Sequence, residues 1–187
     1  GTLVRQMIAK ARSISTLSYS QSKWERINGR LYFEQMEVKV MRNPFKVYLK
    51  QSVPRNVEVL YVTGWNNGKA MVNAGSLIPN LNLNIDGDQL RENQHHNLLS
   101  SGYDELARLF ENLINKYGAN TQLARVTGTE TVNGRACWKI VLENPNFGFQ
   151  NHTVLANENL LTIARKLYLC EHMILENNPS ISNYWAV

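Results

Sequence analysis

The chain is poor in the features that usually name a chemistry. It has only 2 cysteines in 187 residues. Cys137 and Cys170 lack the paired spacing of a metal site and would join only if folding brought their Cα atoms within about 7 Å. Two free, buried thiols are the expectation. No apolar run approaches the ~20 residues of a membrane-spanning helix. There is no Gly-rich phosphate loop, no Gly-x-Ser-x-Gly, no His-Glu-x-x-His and no Cys-x-x-Cys, so the chain supplies none of the usual catalytic or cofactor-binding signatures. We expect no enzyme, no catalytic residue, no metal and no cofactor. His95-His96 is the one metal-like dipeptide, but adjacent strand residues point to opposite faces and no third ligand has suitable spacing. It reads as a surface loop. Trp24, Trp65, Trp138 and Trp185 are scattered and not interleaved with the basic residues, which argues against nucleic acid as a partner.

What is present is a basic first third and a strong period-two pattern. Residues 1–55 hold 11 Lys/Arg against 3 Asp/Glu, a net of +8, while the remainder is net −3. Such a surplus favours anionic partners, including peripheral contact with an anionic membrane surface, or it forms the solvated outer face of antiparallel strands. The 43% hydrophobic content is enough for a core. Gly1 in the place of an initiating Met suggests a mature or trimmed chain, so the lack of a signal peptide says nothing about export.

Leu3 to Arg12 predicts a short amphipathic helix with Leu3, Met7, Ile8 and Ala11 on one side. Strands follow at Leu17–Ile27, Arg30–Met41 and Phe45–Val53, divided by Asn28-Gly29 and Asn43-Pro44. Val57–Thr63 and Lys69–Ala74 flank Asn66-Asn67-Gly68, a hairpin signal. These five strands make a meander. Leu77 to Asp86 alternates again, with Pro79 restricting it to an edge or a strand start. A helix from Tyr103 to Tyr117, closed by Gly118, carries Leu106, Ala107, Phe110, Leu113 and Ile114 on one face and is expected to cover the concave side of the sheet. Leu123–Val132 and Arg135–Glu143 form a second hairpin around Asn133-Gly134, with Ala136, Trp138, Ile140 and Leu142 on one face. The class is α+β. Asn144-Pro145-Asn146-Phe147-Gly148 reads as a linker, giving a domain over 1–148 and a smaller unit over 149–187.

The N-terminal helix, the strand pair around Asn28-Gly29, the Arg42-Asn43-Pro44-Phe45-Lys46-Val47 step and the Asn66-Asn67-Gly68-Lys69 hairpin together resemble lipoprotein carriers of the LolA/LolB type. The closer resemblance is to an uncharacterised bacterial envelope family related to them, over Leu3 to Glu143. It implies a curved antiparallel sheet, a half-open barrel lidded by helices, that holds a lipid or lipoprotein acyl chain. The residues that would line the pocket are Tyr32, Met36, Val38, Val40, Phe45, Val47, Leu49, Val59 and Tyr61, with Phe110 and Leu113 from the lid.

The last segment resembles a LysM module, a βααβ unit that binds N-acetylglucosamine polymers. Thr153-Val154, Glu158, Leu160, Ile163-Ala164-Arg165-Lys166, Ile174-Leu175 and Asn178-Pro179 match in type and spacing. Leu160, Ile163, Ala164 and Leu167 would make one helical face, and Pro179 ends the second helix. The resemblance implies a sugar groove between Ala156, Asn157, Glu158 and Asn159 on one side and Asn178, Pro179, Ser180 and Ile181 on the other. Asn157-Glu158-Asn159 replaces the usual Gly-Asp-Thr. The return strand, expected from about Trp185, has no residues beyond Val187 to form it, so the unit is partial, to be completed by another chain or inserted within the half-barrel. The expectation is therefore a non-catalytic, exported protein of the bacterial periplasm or cell envelope that holds an acyl chain and docks on peptidoglycan. Its alternative is a peptidoglycan-binding protein whose β-domain is only a scaffold.

Overall fold

The computed structural model describes residues 2–75, 78–118, 124–143 and 148–183. Helix α1 (Thr2–Ser13) leads into β1 (Thr16–Ile27), β2 (Arg30–Met41), β3 (Lys46–Val53), β4 (Val57–Val62), β5 (Lys69–Asn73) and β6 (Leu81–Asn84). These pair in chain order as one six-stranded antiparallel sheet that does not close. The turns are dictated locally. Asn28 and Gly29 both take positive φ (48° and 78°), which allows a tight hairpin with no loop residues to spare. Asn133 and Gly134 repeat the device (51° and 77°) between β7 (Ala124–Val132) and β8 (Arg135–Leu142).

The alternation predicted for the strands is realised as two unlike faces. On the inner face Met36, Val38, Val47, Val59, Tyr61, Ala70 and Val72 form the main core. Ile85 and Leu98 complete it, with Leu90 packed against them. These three come from the segment after β6, which holds the one-turn helix α2 (Asp88–Arg91) and a 3-10 turn at Leu98–Ser100. A bulge between Gln35 and Met36, against Val53 and Gln51, ends the regular β2–β3 register.

Helix α3 (Asp104–Tyr117) does not cover this face. Its buried residue Ala107 packs with Val4 and Ile8 of α1, and Phe110, Ile114, Ala124 and Ile140 gather around them in a separate cluster. The reason lies at the α3 start. Arg42, at the sheet's end, donates from Nε to Asp104 (2.9 Å) and from Nη2 to the Ala11 carbonyl (3.1 Å), so α3 is fixed beside α1. Tyr19 stacks on Tyr103 with ring centroids 6.3 Å apart and accepts from the Gly102 backbone N–H. Of the predicted apolar stripe, Tyr103 and Leu106 stay exposed, as does Leu109 beside it.

Hairpin β7–β8 forms its own two-stranded sheet. Cys137 is exposed, contrary to the expected buried thiol, and so is Trp138, because only the base of the hairpin reaches the α1–α3 cluster. The predicted strand at 77–86 shortens to β6, and its first residue, Leu77, lies outside the described residues, as do Leu123, Asn144–Phe147 and Trp185.

The final segment holds α4 (Leu160–Leu167) and α5 (Glu171–Glu176). Asn159 and Thr162 form a reciprocal capping box that satisfies the first-turn donors of α4. Leu160 and Leu161 are buried against Ile174, Leu175 and Ile181. Leu167 is exposed, because α4 ends at Tyr168 in the left-handed region (φ 56°) and Leu161 takes the inward place instead. Thr153-Val154 forms no strand. A lone strand has no ladder to satisfy its backbone, and among the described residues none pairs with it.

Candidate functional site

Alternation places Leu17, Tyr19, Gln21, Lys23, Glu25 and Ile27 of β1 on the same side as Met36 and Val38. Three consecutive inward positions are thus polar. Across from them, Glu34 of β2 opposes Lys23 directly in the register. The Lys23 ammonium lies 2.8 Å from a carboxylate oxygen of Glu25 and 2.8 Å from one of Glu34. The three side chains keep only 16%, 10% and 9% of their surface exposed. Gln51 donates to the other Glu34 oxygen at 3.2 Å, and Gln94 accepts from Lys23 at 3.3 Å.

The chain from Arg91 to Asn97 closes this end. The His95 backbone N–H donates to Glu25 at 2.6 Å. Burial pushes the Glu25 carboxyl up, but the Lys23 ammonium and that N–H outweigh it and hold the pKa below the ordinary value. The His95 ring stands between two carboxylates, Nδ1 at 3.6 Å from Glu25 and Nε2 at 3.5 Å from Glu176. Its edge meets His172 with centroids 5.6 Å apart. The surface reading of His95-His96 thus holds for His96 alone.

The same residues attach the helical pair to the sheet. Arg91, 1% exposed, pairs with Glu171 at the start of α5 and lies 4.0 Å from Asp86. Arg165 of α4 reaches Asp86 at 3.6 Å. The Asn28 backbone N–H donates to Glu176 at 2.9 Å, and the Cys170 thiol lies 2.8 Å from the His95 carbonyl, to which it donates. Burial raises the Cys170 pKa, opposed by the Met173 and His172 backbone N–H groups, so the thiol stays protonated as the donor. Nothing in single-sequence periodicity pairs Arg91 with Glu171. The polar run Gln21-Lys23-Glu25 at inward positions was the available signal.

The apolar candidates divide between two places. Met36, Val38, Val47, Val59 and Tyr61 are buried in the main core, with Val40, Phe45 and Leu49 packed at its margin. Phe45 and Tyr61 are neighbours, with centroids 6.3 Å apart. Tyr32 lies at the charged end, half-buried, with the Arg30 guanidinium 5.7 Å from its ring centroid. Phe110 belongs to the α1–α3 cluster, and Leu113 is on the same helix, so the structure does not bring them to the sheet's inner face.

In the C-terminal unit, Ala156 and Asn157 are exposed and Asn157 takes φ 69°. The Glu158 carboxylate is held by Lys166 (2.8 Å), the Leu155 N–H (3.0 Å) and His152 (3.0 Å). Those contacts, Lys166 first, lower its pKa to about 2. Asn159 is spent on the capping box, and Asn178 donates to the Ile174 carbonyl at 2.7 Å. Pro179 and Ser180 are exposed, while Ile181 packs on the helices. Among the described residues no group of three or more His, Cys, Asp or Glu side chains is arranged to hold a metal ion, and no helix is long and apolar enough to cross a membrane.

The fold is thus an α+β scaffold around an open antiparallel sheet with one apolar, covered end and one ionic end. The chain belongs to the family described as Protein of unknown function (DUF1571), whose model matches residues 16–165. The match begins with β1 and runs into α4. No curated protein and no solved structure matches the chain.

Proposed function

We propose that this is a non-catalytic protein of the bacterial cell envelope that holds a lipid or lipoprotein acyl chain on the inner face of its six-stranded sheet. One observation carries the reading. The apolar end of that face is covered by a single short segment, through Ile85, Leu90 and Leu98, and not by a packed layer of long helices. The cover is one helical turn and a 3-10 turn, and to move aside it must release the contacts of Arg91 with Glu171 and of His95 with Glu25. An acyl chain in its place would gain about 0.8 kcal/mol for each methylene it buries, with no catalytic group required. The resemblance to carriers of the LolA/LolB type supports the same reading, with the sheet as a half-barrel and export to the periplasm.

The test is organic extraction of the purified protein followed by mass spectrometry, with displacement of a fluorescent fatty acid as the second readout. Recovery of lipid, and uptake weakened by Val38→Asp on the inner face, is the expected result. No extractable lipid together with no fatty-acid uptake would overturn it.

A second reading makes the protein chiefly a peptidoglycan binder, with the sheet as scaffold. It is favoured by the separate small core of α4 and α5 and by the exposed loops at Ala156-Asn157 and Pro179-Ser180. It predicts co-sedimentation with insoluble peptidoglycan, reduced by Ser180→Ala and Asn178→Ala. Glu158 would act there by shaping the loop through Lys166 and His152, since its carboxylate is already engaged.

A further inference from the structure

The outer face of the six-stranded sheet is used by neither reading above. By register it carries Arg26, Lys39, Lys46, Lys50 and Lys69 against Glu37 and Glu58, five cations to two acids. Glu58 is 3.8 Å from Lys50, and Glu37 accepts from Ser20. At the β1–β2 end of this basic surface sit three large apolar side chains. Trp24 is 64% exposed and Leu31 is 53% exposed, with half-buried Phe33 directly opposite Trp24 in the pairing and its ring centroid 4.5 Å from that of Trp24. Leaving Trp and Leu in water forgoes the transfer free energy that burial would give, about 1.5–3 kcal/mol for a fully buried large apolar side chain. Trp favours the boundary between headgroups and acyl chains, where its ring is apolar and its N–H is still solvated.

We propose that this outer face is a docking surface for an anionic lipid bilayer, with Trp24, Leu31 and Phe33 entering the headgroup region and Arg26, Lys39 and Lys50 facing lipid phosphates. The charge complementarity selects an anionic partner. The exposed Trp24 and Leu31, backed by Phe33, select a bilayer over a soluble acidic polymer, which would give those side chains nowhere dry to go. Neither signal alone holds a protein on a membrane, whereas a polybasic surface combined with an apolar anchor does. Because the inner face plays no part, the proposal stands or falls separately from acyl-chain binding.

The experiment is flotation of the whole chain with phosphatidylcholine vesicles and with vesicles in which a third of the lipid is phosphatidylglycerol. The protein is expected to float only with the latter and to be released in part by high salt. Trp24→Ser with Leu31→Ser should weaken binding by about tenfold. Lys39→Gln and Lys50→Gln should each weaken it by about fivefold. Both sets change exposed positions, and circular dichroism checks that the sheet persists. Fatty-acid uptake measured in solution should be unchanged in the Trp24 and Leu31 variant, which separates this surface from the inner face. Failure to float with the anionic vesicles would overturn the proposal. So would flotation insensitive to both variant sets. Binding to inorganic polyphosphate as tight as to vesicles, and unaffected by Trp24→Ser with Leu31→Ser, would show an acidic polymer as the partner and overturn the bilayer.

Discussion

One face of a single sheet is built in two ways. Toward β5 and β6 the inner positions are Val59, Tyr61, Ala70 and Val72, covered by Ile85 and Leu98. Toward the β1–β2 hairpin they are Lys23, Glu25 and Glu34, covered by His95 and α5. Both ends are mostly buried, so the difference is in how burial is compensated. The apolar end gains transfer free energy with each methyl group and tolerates any occupant that is also apolar. The ionic end gains little net free energy, since desolvating charges offsets their attraction, yet it is specific, because each carboxylate needs its own partner in place. An ionic clasp holds one particular element, here the helical pair.

That contrast can be broken most sharply at Lys23. Lys23→Met leaves Glu25 and Glu34 facing each other with no cation between them and should cost about 3–5 kcal/mol in denaturant unfolding. Adding Glu25→Gln and Glu34→Gln to the same chain should recover most of the loss. If the triple variant is no more stable than Lys23→Met alone, the ionic end is not a compensated cluster. In the apolar core that adjoins the cluster, Met36→Ala removes buried methylenes and should cost about 2–5 kcal/mol, with no polar substitution able to restore it. A loss below about 1 kcal/mol would show that the cover already packs loosely there.

Smaller effects belong to the clasp and the helical pair. Asn159→Ala removes half of the capping box and should cost about 1 kcal/mol, read as earlier amide exchange in α4 than in β2–β4. Loss spread evenly over the sheet would mean that the helices and sheet unfold as one unit. His172 should be the acid-sensitive part of the clasp. Burial, with His95 and Arg91 nearby, lowers its pKa, so its neutral form is favoured in the folded state. Its contribution is complete above the ordinary histidine value, about 6.5, and is lost as pH falls through the lower folded value. A nuclear magnetic resonance titration should place its midpoint below that of free histidine, and Arg91→Gln should raise it. An unchanged midpoint in the variant would remove Arg91 as a cause. Last, Glu158 should titrate near 2 and rise toward the ordinary carboxylate range in Lys166→Met. Its stabilisation is present above the ordinary value and disappears as the pH falls toward 2, so any stability difference between the wild type and Lys166→Met should be largest near neutrality and vanish toward pH 2.

Much of the sheet was legible beforehand. The strand bounds at Arg30–Met41 and the turns at Asn28-Gly29 and Asn133-Gly134 follow from period two and from the positive φ that Asn and Gly accept. The apolar part of the candidate list was legible for the same reason: Met36, Val38 and Val47 alternate with charged or polar neighbours. Phe110 and Leu113 were misplaced because an amphipathic helix states that one face will be buried and not against what. Here the choice fell to Arg42, whose guanidinium joins Asp104 to the end of α1. His95 was misread because its partners, Glu25 and Glu176, are 70 and 81 positions away in the chain.

By itself, the sequence determined the α+β class, the antiparallel meander and the basic outer face, since each depends on neighbours one to four residues apart or on simple alternation. Only the tertiary structure decided that α3 lies on α1, that a short segment covers the apolar end, and that Lys23, Glu25, Glu34, His95 and α5 meet. Those outcomes depend on which distant charges can be desolvated together, and such pairing has no period for a sequence to display.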